Sequence, residues 1–173
     1  METPFLDCGM FGLRYIFRTL SKYGRGDLAY KLIMQENMPS YYRLIQSGLT
    51  TLGEHLSHYE VSTASQNHHF LGDISAWFIE KIAGLNPNPT AKDINEVEIA
   101  PDFLENIDFA EASFETKGEN LAVYWKRENG KITLTAFIPE HIHGKIILPR
   151  NYKFEDGTQI CNLKSGEITY IIA

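Results

Sequence analysis

Apolar residues recur every three or four positions through the first 85 residues and every second position beyond residue 95. Met10, Leu13, Phe17 and Leu20 form one stripe, which predicts a helix over 8–22 ended by Gly24 and Gly26. Leu28, Ala29, Leu32 and Ile33 share one side of a second helix, with Asp27 as its N-cap and Pro39 as its stop. The short connection between them predicts an antiparallel pair. Ile74, Trp77, Phe78, Ile82 and Ala83 face inward from a third helix over 73–84, capped by Asp73 and closed by Gly84.

Residues 86–95, NPNPTAKDIN, hold two prolines and three asparagines and mark the break between the two periods. Past it, Ala110, Ala112, Phe114 and Thr116 alternate with polar partners, as do Leu121, Val123 and Trp125, and then Ile132, Leu134, Ala136 and Ile138. Glu128-Asn129-Gly130 is a hairpin signal between the last two runs. Further strands are expected near 145–148, 159–163 and 167–172. The expected fold is therefore α+β: a helical segment over 1–85, a linker over 86–95 and an antiparallel β-sandwich over 96–173. Three amphipathic helices cannot enclose a core by themselves. Their stripes must bury against the β unit, a second copy or helices outside these residues.

Composition narrows the classes. A net charge of −6 with no basic stripe disfavours a nucleic-acid partner. No apolar run approaches the roughly 18–20 residues of a membrane span. The opening residues METPFLDCG show no signal-peptide pattern, and the compartment stays open. Cys8 and Cys161 lie near opposite ends and read as two buried thiols rather than a disulfide.

Candidate chemistry concentrates in residues 48–72, GLTTLGEHLSHYEVSTASQNHHFLG, which hold four of the six histidines. His55 and His58, at i and i+3, with Glu54 or Glu60, suggest a metal at first sight. EHLSH is not the HExxH order, however, and solvated or capping roles suit His55, His58 and His69 better. No metal and no cofactor are expected. His141 and His143 flank a strand connection and read as surface residues. Glu54 follows a Thr pair among few apolar neighbours, with Tyr41, Tyr42, Arg43 and Asn67 nearby, the residue types that line a sugar pocket.

The order of motifs carries a resemblance. Pro39-Ser40-Tyr41, Gly48-Leu49-Thr50-Thr51-Leu52-Gly53-Glu54, Asn67-His68-His69-Phe70-Leu71-Gly72, Trp77-Phe78 and Ala83-Gly84-Leu85 follow one another as in the last part of the bacterial α-L-rhamnosidases, whose pattern runs PSW, GATTLWE, NHxMFGS, WFY, LAGI. Pro101-Asp102-Phe103, Ala110-Glu111-Ala112-Ser113, Trp125, Ile138-Pro139 and Leu148-Pro149 resemble the family's closing β-sandwich. The resemblance covers about residues 3 to 150.

It implies the end of an (α/α)6 barrel and an inverting glycosidase. By resemblance, Glu54 stands at the water-activating general base and His68 at the pocket histidine, with Asn67 beside it. Tyr41 takes the place of a Trp that stacks on the sugar. Gly53 replaces a Trp, which opens the pocket or shifts sugar preference. The general-acid segment, CPxRDER in complete members, has no match in these 173 residues. The leading expectation is a C-terminal portion of such an enzyme, with a rhamnose-containing glycan as substrate of the whole and no activity in this portion alone. Self-association, or docking of an upstream barrel segment, follows from the exposed helix faces. The runner-up is a non-catalytic carbohydrate-binding or interaction module.

Overall fold

The computed structural model describes residues 5–37, 39–56, 65–87 and 91–173. Its contacts divide the chain into two compact units, one up to Trp77 and one from Phe78 onward.

The first unit begins with α1 (Met10–Lys22), which buries Leu13, Phe17 and Ser21. Its end is a Schellman motif. Gly24 sits at φ +70, its N–H reaches the Ser21 carbonyl at 2.9 Å, and the Arg25 N–H reaches Leu20 at 2.8 Å. Gly26 opens the next helix rather than closing this one. In α2 (Gly26–Ile33), Asp27 lies inside the first turn and pairs with Arg25, so the expected N-cap role passes to the Arg25 position. Helix α2 stops at Ile33, well short of Pro39.

Ser40 caps α3 (Tyr41–Gln46) from both directions. Its Oγ accepts the Arg43 N–H at 3.0 Å and donates to the Gln35 carbonyl at 2.6 Å. Ser40 is fully enclosed, so Ser40→Ala strands two groups. The first unit should lose about 1–2 kcal/mol, read from its transition in urea.

The third predicted helix exists but changes pitch along its length. A 3-10 turn (Leu71–Asp73) leads into α4 (Ile74–Trp77), and a wider π turn follows over Phe78–Ala83. Asp73 does not cap it; its carboxylate is taken by Arg18 of α1. Trp77 is buried and donates its indole N–H to Ser21 Oγ at 2.9 Å. Phe78, expected to face inward, is 38% exposed. The widened turn starts there and carries its side chain off the stripe set by Ile74 and Trp77.

The second unit is a sandwich of two four-stranded sheets, ordered β1-β2-β6-β7 and β3-β4-β5-β8. Strands β3 (Phe109–Thr116), β4 (Glu119–Glu128), β5 (Lys131–Ile138), β6 (His143–Ile147), β7 (Ile160–Asn162) and β8 (Gly166–Ile172) match the predicted runs. Asn129-Gly130 turns β4 into β5 with both residues at positive φ, and Lys117-Gly118 does the same between β3 and β4.

Strands β1 (Leu85–Pro87) and β2 (Glu96–Ile99) were not predicted. Residues 86 and 87, expected in the linker, pair with Glu98 and Val97. Proline is tolerated there because β1 is an edge strand. One pair departs from the antiparallel expectation: β2 and β6 run parallel. The chain between them crosses to the other sheet through β3, β4 and β5, which is the long connection a parallel pair requires.

Val97, Ile99, Ile146 and Leu148 from one sheet meet Leu121, Val123, Trp125, Leu134, Ala136 and Ile172 from the other in one core. Gly144 of β6 pairs with Val97 at φ +144, and a Cβ there would stand 1.8 Å from the Val97 carbonyl oxygen. Gly144→Ala must therefore part β2 from β6. We expect a loss of about 3 kcal/mol or more, seen first as lost amide-exchange protection in these two strands.

His141 is not a plain surface residue. Its Nδ1 lies 3.2 Å from Glu119 Oε2 and its Nε2 lies 3.3 Å from Thr116 Oγ1, tying the turn after β5 to the tip of the β3–β4 hairpin. The two cysteines are free thiols, half-buried rather than buried, and burial pushes each upward in pKa.

Candidate functional site

The segments carrying Glu54 and His68 are laced together by backbone and side-chain hydrogen bonds. Glu54 N–H donates to the Ser65 carbonyl at 2.8 Å, and His68 N–H donates to the Leu52 carbonyl at 2.7 Å. The order of these bonds makes the two segments antiparallel. Thr51 Oγ1 adds a bond of 2.6 Å to the Gln66 carbonyl. The Ser65 N–H points back to Glu54 Oε2 at 3.3 Å, so one carboxylate oxygen is engaged by the facing segment. Glu54 is half-buried and Gly53 beside it is buried.

Ser65 is a hub of this pairing. Its Oγ accepts the Asn67 N–H and lies 3.1 Å from the Asn67 carbonyl, which fixes a tight turn just before His68. Asn67 is exposed there. His68 is half-buried, and its Nδ1 accepts the Phe70 N–H at 3.4 Å. Acceptance at Nδ1 puts the neutral ring's proton on Nε2, which then serves as a donor. A carboxylate and an imidazole N–H on one laced unit suit a base and a hydroxyl-binding group.

Rings surround His68. Phe70 lies 5.3 Å from it and 4.4 Å from His69, the two imidazoles stack at 5.3 Å, and Phe11 of α1 reaches Phe70 at 5.6 Å.

Tyr41 falls elsewhere. It is 4% exposed, its hydroxyl donates to the Leu71 carbonyl at 3.1 Å, and its ring meets Phe17 edge-on at 5.9 Å. A sugar-stacking role does not fit this placement: Tyr41 anchors the start of the 71–83 run from within the core. Tyr42 and Arg43 line a separate open cleft of about 450 Å3 with Glu36, Asn37 and Gln46. His58 and Glu60 lie outside the described residues. Among the described residues, no group of three or more His, Cys, Asp or Glu is placed to hold a metal. No helix among the described residues is long and apolar enough to cross a membrane.

Two residues of this neighbourhood escaped the sequence. Ser65 reads as one more polar loop residue, and only the pairing of distant segments reveals its position. Phe11 lies off the apolar stripe of α1, and that displacement was the available signal.

Two family models together match nearly the whole chain. Residues 2–82 match the bacterial alpha-L-rhamnosidase 6 hairpin glycosidase domain, and residues 85–159 match the bacterial alpha-L-rhamnosidase C-terminal domain. The chain belongs to the bacterial alpha-L-rhamnosidase family. What it carries is a C-terminal portion, the end of the hairpin domain followed by the β domain.

An alpha-L-rhamnosidase of Formosa agariphila is 31% identical over 143 residues, which is 81% of this chain and 15% of that protein. One from Alteromonas sp. is 28% identical over 180 residues, 95% of this chain and 19% of that protein. The chain thus spans under a fifth of the length of these two relatives. In fold it resembles the alpha-L-rhamnosidase of Dictyoglumus thermophilum, with a TM-score of 0.84, 24% identity, and coverage of 97% of this chain and 21% of that one. It also resembles the Streptomyces avermitilis alpha-L-rhamnosidase solved with L-rhamnose, with a TM-score of 0.83, 23% identity, and coverage of 98% of this chain and 18% of that one.

Proposed function

We propose that this rhamnosidase-family chain supplies the water-activating side of an inverting α-L-rhamnosidase. In this reading, these 173 residues by themselves do not turn over a rhamnoside. The observation that supports the reading is the lacing of the Glu54 segment to the His68 segment, which holds the Glu54 carboxylate and the His68 imidazole on one hydrogen-bonded pair of segments. Inversion needs one carboxylate to deprotonate water and a second carboxyl group to protonate the leaving oxygen from the opposite side of the sugar.

Glu54 is the base. Asn67 and the His68 Nε2–H bind sugar hydroxyls. The acid belongs to a segment with no match in this sequence, so the terminal rhamnose of a glycan is cleaved only when that segment joins. Exposed apolar side chains on the helical unit, Tyr15, Tyr23 and Ile45, are the surface on which further hairpins or a second copy pack.

The test is reconstitution. The chain alone should show no hydrolysis of 4-nitrophenyl α-L-rhamnoside, and mixing it with a relative truncated before this portion should restore hydrolysis. Turnover by the chain alone that disappears in Glu54→Gln overturns the inactivity. Sugar binding without any restored turnover favours a non-catalytic binding module instead.

A further inference from the structure

We propose that the free edge of β8 pairs with β8 of a second copy of this chain, antiparallel and two-fold about Ile168. The seam is independent of the sugar site proposed above and lies within the second unit. Strand β8 is the outer strand of its sheet and pairs with β5 on one side. Just past its end, Ala173 exchanges two backbone bonds of 2.9 Å with Lys153, so its N–H and carbonyl point away from β5. Backbone groups alternate sides along an antiparallel strand, which turns those of Ile171, Thr169 and Glu167 the same way. Among the described residues, a single bridge from Phe154 to Ile172 occupies that side. The stretch from Gly166 to Tyr170 is left open, with Ile168 at its midpoint.

Open strand edges invite pairing with other chains, and the other outer strands here are blunted against it. Strand β1 holds Pro87, β7 is three residues long, and β3 carries Glu111 and Glu115 on its exposed face. Pairing β3 with itself about Ser113 would set those two carboxylates directly opposite each other, which is unfavourable. Strand β8 has seven residues and no proline, lysine or arginine. Pairing it about Ile168 sets Glu167 opposite Thr169 of the second copy, so no like charges are directly opposed. Both residues turn their backbone groups outward, and each Glu167–Thr169 pair exchanges its N–H···O bonds.

Apolar surface favours the same seam. Ile168 and Tyr170 pair with the buried Ala136 and Leu134 and so face the core, yet at this edge both are only half-buried. A second strand beside them takes that surface out of water. The two four-stranded sheets then join into one continuous sheet, closed by the two-fold.

Sedimentation of the full chain from micromolar to millimolar concentration should show a monomer–dimer equilibrium. Thr169→Pro removes an outward N–H and keeps the bonds to β5, so it should weaken the dimer by about tenfold or more. Its thermal unfolding in dilute solution should stay near the parent's. Ile168→Cys tests the register, and decides alone if the proline variant does not fold. Ile168 faces its own copy as a non-hydrogen-bonded pair, about 4.5 Å between Cα atoms, which suits a disulfide. Under mild oxidation Ile168→Cys should give a covalent dimer that peptide mapping shows linked 168 to 168. Thr169→Cys meets Glu167 instead and should give no 169-to-169 link. A chain that stays monomeric at millimolar concentration overturns the seam. So does a dimer that Thr169→Pro leaves unchanged and that forms no 168-to-168 link; it belongs to another surface.

Discussion

Trp125→Ala should destabilise the β unit by about 3–5 kcal/mol, the range for emptying a site this large in a packed core. Trp125 has no exposed surface, and its ring meets Phe103 edge-on at 5.1 Å. Its indole N–H donates to the Ile82 carbonyl at 2.8 Å, so one side chain serves both the core and the end of the wide π turn. Phe103 holds an unfavourable φ of +48, and Arg127 Nη2 bonds its carbonyl at 2.7 Å, so the residue packed on Trp125 is already held under constraint.

Trp125→Phe separates the two contributions. It keeps most of the ring volume and should cost about 1–2 kcal/mol, largely from the carbonyl left without a donor. Urea unfolding followed through amide exchange in β4 and β5 reads both variants within the second unit, without assuming that the whole chain unfolds in one step. A Trp125→Ala variant within about 1 kcal/mol of the parent would show that the core closes over the gap.

Glu54→Gln in the reconstituted enzyme should lower kcat by about 10²–10⁴-fold, the usual worth of a general base. The change keeps size and polarity. Gln can still accept the Ser65 N–H that now reaches Oε2, so the lacing to the His68 segment survives. What is lost is the ability to take a proton from water. Rhamnose binding should therefore be nearly unchanged, and added azide, an anion that needs no deprotonation, should recover turnover as the inverted glycosyl azide. An active Glu54→Gln enzyme without azide would remove Glu54 from the base role.

Legibility followed the range of the interaction that decides each feature. The six strands from β3 to β8 could be read because a half-buried strand writes its own alternation, as Leu121-Val123-Trp125 and Ile132-Leu134-Ala136-Ile138 do. Helix α1 could be read for the same reason at its longer period. Strands β1 and β2 are three and four residues long, too short to show a period, and the prolines near β1 suggested a linker. The caps assigned to Asp27 and Asp73 failed where a nearby guanidinium, from Arg25 and Arg18, took the carboxylate instead.

The sequence by itself determined the change from helix to strand, most of the β order, the α+β class and, through motifs in a fixed order, the family. Glu54 and His68 were singled out only through that order, since a lone Glu and a lone His in a polar loop carry no period. The tertiary structure alone decided that Tyr41 is an anchor rather than a platform, that β2 and β6 run parallel, and that Thr51 and Ser65 lace the Glu54 segment to the His68 segment. Each of these depends on residues far apart in the chain meeting at hydrogen-bond or ring distance. A local pattern records which side of an element is apolar, and only the packed chain decides what that side, or the opposite one, will touch.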